Sequence, residues 1–363
     1  MPLYVPLLGA EFENGALNLM QSTGALSTQT ASLQAAESFE SQPDAPNYPV
    51  LTLPPEIVSE IFVAFLPTYP DCPPTFGLHS PLLLCQICRH WRAIAIATPE
   101  LWRAIQISVS RESGKAVAQL ELLKTWLSRS GSCPLSINFS FQTYDEEILR
   151  TAVLHSERWE CADLLVFSRH LSLIQVAMPL LRHLTLGLNL NPIPSEPITL
   201  FDHAPHLKQV VLATSFEKSL ITLPWGQLTH LDAHMLDLEG CAEILCDATN
   251  LVHCSFRTQV KFGSILIPII PIHHHLRHLF LRRGKHYVHS SVNLSKLFRN
   301  LTLPGLLTLG VYERGITLES LGEFITRSQC TLRELRVDRS SGRLSESIYR
   351  EAFPSIATIV LEP

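Results

Sequence analysis

Before position 89 the chain has no lysine and no arginine; Arg89 is the first basic residue. A secretory leader or a mitochondrial presequence needs early positive charge, so neither is expected, and the chain is read as intracellular, in cytoplasm or nucleus. Long apolar runs are also missing. The longest, within "SILIPIIPI" (264–272), is far shorter than the ~20 residues of a bilayer span, so no membrane association is expected. Charge is sparse, at 17% of residues, and the net −5 comes from the front of the chain. Eight acids precede Arg89 and the remainder is close to neutral. Nucleic-acid binding normally needs an extended basic face, so no such partner is expected, and "RRGKH" (282–286) reads as a solvated turn. A glycine-rich phosphate loop, a G-x-S-x-G elbow and an H-E-x-x-H pair are all lacking. Neither catalysis by the chain itself nor a cofactor is expected.

What is present is an apolar content of 46% over 363 residues, enough for a large buried core. Nine cysteines, an odd number, are scattered without a pairing pattern. In a reducing compartment such thiols behave as small apolar residues. Three zones follow from composition. Residues 1–47, rich in Ser, Thr, Gln and Ala, cannot bury enough surface to offset chain entropy and read as a disordered acidic arm. Residues 48–107 read as a helical module, and 108–363 as a repeat array.

The helical module begins "LTLPPEIVSEIFVAFL". Pro54 and Pro55 suit a helix start, where their missing N–H groups would go unpaired anyway, and Glu56 complements the helix dipole. Ile57, Ile61 and Phe65 form one i, i+4 row with Val58, Phe62 and Leu66 beside it, a broad apolar face. Five prolines in "PTYPDCPPTFGLHSP" (67–81) then exclude a helix. In "LLLCQICRHWRAIAIATPELW" (82–102), Leu84, Ile87, Trp91 and Ile94 recur at helical spacing, and Thr98-Pro99 ends the helix. Cys85 and Cys88 make a C-x-x-C, but no second ligand pair follows at zinc spacing and the pair sits inside an apolar periodic run. Packed thiols are the expected reading, with no metal.

These residues resemble the F-box. The resemblance is carried by Leu53-Pro54, Ile57, Ile61, the Cys88-Arg89-x-Trp91-Arg92 core and the Thr98-Pro99-x-Leu101-Trp102 tail. The proline-rich insertion is longer than in a minimal F-box. The resemblance implies docking on the Skp-type adaptor of a cullin–RING ubiquitin ligase. Two short helices with broad apolar faces also leave more apolar surface than about fifty residues can bury alone. Leu53, Pro54, Pro55, Ile57, Ile61 and Leu82 are the expected adaptor-facing set. Phe62, Ile87, Cys88, Trp91 and Trp102 are the expected core of the module.

Beyond it a template L-x-x-L-x-L recurs, from Leu181, Leu207, Leu228, Leu251, Leu276, Leu306, Leu332 and Ile356. Successive starts differ by 26, 21, 23, 25, 30, 26 and 24 residues, close to the period of leucine-rich repeats. "WRAIQI" from Trp102, "LSINFS" from Leu135 and "WECADL" from Trp159 look like degenerate units. The expected fold is therefore α+β: a small all-helical F-box, then an α/β leucine-rich-repeat solenoid with a parallel sheet on its concave face. "EGCAEILCDA" (239–248) and "LESLGEFITRS" (318–328) each fit one return helix.

The template's fourth and sixth residues point inward and its third and fifth outward. The outward third position reads His183, Gln209, His230, His253, His278, Thr308, Glu334, with Arg182, Lys208, Arg277 and Arg333 just before. Strands about 4.8 Å apart would stack the histidines in a column. Two readings stay open: a site for an acidic ligand or for sensing pH, and a solvated polar face. Adjacent residues on a strand point to opposite faces, so His273, His274 and His275 are not expected to converge on a metal.

Together these features imply a non-enzymatic substrate receptor, adaptor at one end and an unknown protein target on the repeats. The alternative is a repeat-based interaction scaffold not coupled to ubiquitin transfer.

Overall fold

Pro54 caps and Pro55 opens helix α1 (Pro55–Phe65), as the missing N–H groups of "LPPE" dictate. A computed structural model describes residues 52–109, 113–141, 146–189, 198–199, 201, 203–214, 218–260, 266–284, 292–339 and 344–362. The arm expected over 1–47 lies outside the described residues. After α1 the proline-rich stretch runs without helix to Ser80, whose hydroxyl accepts from the Leu82 N–H at 3.2 Å and caps α2 (Pro81–Ile87). A third helix, α3 (Arg89–Ala97), follows at once.

The single helix expected over 82–97 is thus broken. Cys88 is extended, at φ −154° and ψ 169°, and its sulfur accepts from the Trp91 N–H at 3.4 Å. The break changes the helical phase. Leu84 and Ile94 stay buried, while Ile87 turns outward and is 53% exposed. Ile87 therefore does not belong to the module's core.

A 3-10 turn at Pro99–Trp102 delivers the chain into β1 (Ala104–Val109). Trp102 is fully buried; its indole N–H donates to the Ala95 carbonyl at 2.8 Å and its ring meets Trp126 edge-on at 4.8 Å. One tryptophan so joins α3, the first strand and α4 (Ser113–Arg129). Helix α4 is longer than any connection expected between strands. Its buried side is Leu123, Trp126 and Leu127, with Leu120 packed beside them, an i, i+3, i+4 stripe.

The remaining strands are β2 (Leu135–Phe141), β3 (Trp159–Phe167), β4 (His183–Asn189), β5 (Ile198–Thr199), β6 (Gln209–Leu212), β7 (Ile221–Thr222) and β8 (His230–Leu236). Then come β9 (His253–Thr258), β10 (His278–Arg283), β11 (Thr308–Tyr312), β12 (Glu334–Asp338) and β13 (Thr358–Glu362). All but β5 and β7, which pair with each other, form one eleven-stranded sheet in chain order, every pairing parallel. The architecture is mixed α/β on one large parallel sheet. Each strand of that sheet coincides with one unit of the leucine template, the three degenerate units included. Leu181, Leu184 and Leu186 are buried, as are Leu276, Leu279 and Leu281 and their counterparts in the other units, with two exceptions. Leu361 is half-buried, and in the Leu135 unit, where the register shifts after Leu135, Ile137 and Phe139 are buried instead. Outside the Leu135 unit the first, fourth and sixth positions therefore supply the core.

Return helices behind the sheet are α5 (Glu146–Val153), α6 (Leu238–Asp247), α7 (Ser295–Phe298), α8 (Leu318–Ser328) and α9 (Glu346–Ala352). Asp237 caps α6 and Thr317 caps α8 through side-chain oxygens, and both helices fall where "EGCAEILCDA" and "LESLGEFITRS" place them. His273, His274 and His275 precede β10 instead of lying on it. His273 is buried with its ring bonded to the Leu245 carbonyl at 2.8 Å, and the other two are exposed. Residues 52–363 form one compact unit.

Candidate functional site

Two surfaces gather exposed groups that the fold itself does not use. The first is on α1. Val58 and Phe62 face inward, where Phe62 meets Trp91 edge-on at 5.0 Å. Ile57 and Ile61, one residue out of phase, are 49% and 48% exposed. Pro54 and Pro55 are exposed beside them, whereas Leu53 and Leu82 are half-buried against the core. Of the expected adaptor-facing set, four members are open and two already partly covered. Phe62 and Trp102 are core as expected, and Trp91 and Cys88 are half-buried. Cys85 is buried, and burial raises its thiol pKa. Phe76 and Leu78, on the proline-rich stretch, are exposed apolar residues that no sequence periodicity marks.

That stretch does not dangle. The Tyr69 hydroxyl donates to Glu160 Oε2 at 3.0 Å, Arg103 lies 4.1 Å over the Tyr69 ring, and the Ser136 hydroxyl donates to the Pro70 carbonyl at 2.6 Å. Cys72 sits 3.8 Å from Ser136 and burial pushes its thiol up to about 11. The insertion therefore covers the outward face of the sheet at β1–β3.

The second surface begins where that cover ends. Strand register aligns the third template positions without a slip: Cys161, His183, Gln209, His230, His253, His278, Thr308, Glu334, Thr358 are successive Cα partners. The column predicted from periodicity is thus real. His230 and His253 stack with centroids 5.9 Å apart and planes 15° from parallel; His253 and His278 are also 5.9 Å apart but tilted by 38°. Burial lowers the His253 pKa first, and the flanking His230 and His278 lower it further. Gln209 separates His183 from the other three. His183 pairs instead with the Cys161 sulfur at 3.3 Å, and burial lowers its pKa too.

The basic residues at the second position behave differently. Lys208 reaches the Gln227 carbonyl at 3.4 Å and Arg277 the Gly305 carbonyl at 2.9 Å, both on segments leading into the next strand. Arg182 pairs with Glu160 at 3.3 Å, and Arg333 is exposed. They run along the entry edge of the sheet and are not drawn into the histidine column.

At the opposite edge sequence reasoning missed a cluster. Arg257 and Arg282 occupy the seventh position of their units and are Cα partners on β9 and β10. With Arg283 and Arg336 they line a recess of about 380 Å³ whose floor includes Phe280 and Gly310. Arg282 and Arg283 close β10, so "RRGKH" is not a free turn over its described residues. The only available signal was an arginine repeated one position beyond the template.

Among the described residues no group of three or more His, Cys, Asp or Glu could hold a metal ion. No helix there is long and apolar enough to cross a membrane. No protein-family model matches this chain, and no curated protein matches it either.

Proposed function

We propose that this chain is a non-enzymatic substrate receptor of a cullin–RING ubiquitin ligase. In this reading α1–α3 form an F-box that docks on a Skp-type adaptor, and the sheet region is a leucine-rich-repeat solenoid that holds a protein target. Its contribution to catalysis is proximity: the target lysine is kept at high effective concentration near a conjugating enzyme carried elsewhere in the assembly.

One observation carries the reading. On α1 the apolar residues divide between an inward pair, Val58 and Phe62, and an outward pair, Ile57 and Ile61, each of the latter about half exposed. A helix that has already packed one face and still presents branched aliphatics on the next is built to be covered by a partner. The F-box resemblance of "LPPEIVSEI" and "CRHWR...TPELW" names that partner. The polar, partly exposed outward face of the sheet supports the second half, since it offers one row of side chains per strand to a target.

The test is co-purification with the Skp-type adaptor. The wild-type chain is expected to retain it, and Ile57→Asp with Ile61→Asp to abolish it while the variant stays folded. Adaptor binding that survives both aspartates, or is absent from the wild type, overturns the receptor reading and leaves an interaction scaffold without ubiquitin transfer.

A further inference from the structure

Arg257 and Arg282 stand side by side on adjacent parallel strands, in register, with no ion-pair partner for either among the described residues. Like charges at one strand spacing, about 4.8 Å, repel. Elsewhere on the same face the cations are paired: Arg336 bonds Glu334 at 2.9 Å and approaches Glu362 at 3.6 Å. The two lone guanidiniums open onto the recess of about 380 Å³, and its shape has a cause. A Cβ on residue 310 would lie 2.4 Å from the Phe280 ring. Glycine there lets the Phe280 ring lie across β11 as an aromatic floor. Arg282 sits over that ring at 5.4 Å and His253 stands 5.4 Å away on the other side.

We infer that this recess binds an acidic segment of a partner protein. A carboxylate accepts from Arg257 and Arg282 together, and an adjacent aromatic or aliphatic side chain packs on Phe280. Charge favours a carboxylate over a phosphate ester. Asp338 and Glu362 also line the recess, and their repulsion acts twice as strongly on a dianion as on a monoanion held between the two arginines. The recess lies on the same strands as His253 and His278, so the histidine column extends the contact toward the entry edge of the sheet. This inference rests on reading the outward face as the target-facing surface and names the chemistry it selects.

The experiment uses the full chain and three fluorescein-labelled peptides on a common Gly/Ala backbone, carrying Glu-Phe-Glu, Gln-Phe-Gln and phosphoserine-Phe-phosphoserine, measured by anisotropy. The Glu-Phe-Glu peptide is expected to bind, with affinity falling as salt rises, and to bind about tenfold or more tightly than the Gln-Phe-Gln peptide. Arg257→Gln with Arg282→Gln should remove that advantage, and Gly310→Val, which displaces the floor, should weaken binding of the same peptide. Equal binding of the glutamate and glutamine peptides overturns the inference, as does unchanged binding by the double variant. So does a preference for the phosphoserine peptide. Adaptor co-purification by the Arg257→Gln, Arg282→Gln chain is read in parallel. Absence of adaptor binding from both the wild type and this variant would strike the receptor reading alone, whereas failure of the peptide series with adaptor binding intact strikes only the recess.

Discussion

His230 and His253 stack face to face across neighbouring strands, 5.9 Å between centroids and 15° from parallel. The groups around His253 are His230, His278 and Arg282, which oppose its protonation, and Asp232, which favours it. Burial is the largest influence, and the folded pKa lies below the ordinary value. In the unfolded chain the same imidazole takes up its proton near pH 6.5. Between that point and the lower folded pKa the unfolded state binds more protons, so stability falls as pH falls through this window and levels off below it. Urea melts at pH 7.5 and 5.5 are expected to show a loss for the wild type. His253→Gln should reduce that loss, and His183→Gln, at the other depressed site of the column, should reduce it as well. A difference between the two pH values unchanged by His253→Gln would remove the column from the pH response.

The two faces of α1 predict opposite outcomes for substitutions one residue apart. Phe62 is fully buried against Trp91, so Phe62→Ala is expected to cost about 3–5 kcal/mol. Ile57→Asp with Ile61→Asp touches half-exposed positions and should change stability by no more than about 1 kcal/mol in total. Chemical denaturation of the isolated chain checks both. A large loss from the aspartate pair would mean that the outward row is part of the chain's own core.

The sheet was legible because one rule covers the units from Leu181 onward: alternating side chains and a fixed leucine spacing leave a single register, whereas the Leu135 unit shifts by one residue after Leu135. That rule places His183, His230, His253 and His278 in one row and predicts the buried positions from Leu181 to Ile359. It says nothing past the sixth position, which is why Arg257 and Arg282 went unseen. Ile87 was misplaced for a different reason. "LLLCQICRHW" has neither proline nor glycine to mark a break, and only the extended Cys88 separates α2 from α3. Helix α4 carries a signal of its own, the stripe of Leu120, Leu123, Trp126 and Leu127 at helical spacing, but the leucine template, which describes strands, does not read it. The docking of Tyr69 on Glu160 is a contact 91 residues apart in sequence; no local pattern encodes it.

Cys88 caps α3 with a sulfur that accepts from the Trp91 N–H at 3.4 Å. A thiol is a weak acceptor, whereas a serine hydroxyl is among the preferred N-caps. Cys88→Ser keeps the size and geometry, so it is expected to stabilise the chain by about 0.5–1 kcal/mol. Cys88→Ala removes the acceptor and should be the less stable of the two variants. Thermal melts of the pair, compared with the wild type, check the order; an alanine variant as stable as the serine variant would show that the side chain does not cap.

The proline-rich insertion is held to the sheet by two separate bonds, Tyr69 to Glu160 at 3.0 Å and Ser136 to the Pro70 carbonyl at 2.6 Å. Each joins the segment between α1 and α2 to a different strand. If the segment docks as one piece, losing either bond loosens the other. Tyr69→Phe and Ser136→Ala should then each cost about 1 kcal/mol, and the double variant should cost less than the sum of the two, a coupling that a double-mutant cycle measures directly. Strict additivity would mean that the two contacts act independently. Because neither residue lies on the exposed row of α1, adaptor co-purification should survive both substitutions. What they should change is the coupling between the helical head and β2–β3, read as faster hydrogen exchange at residues 67–75 with the amides of α4 left protected.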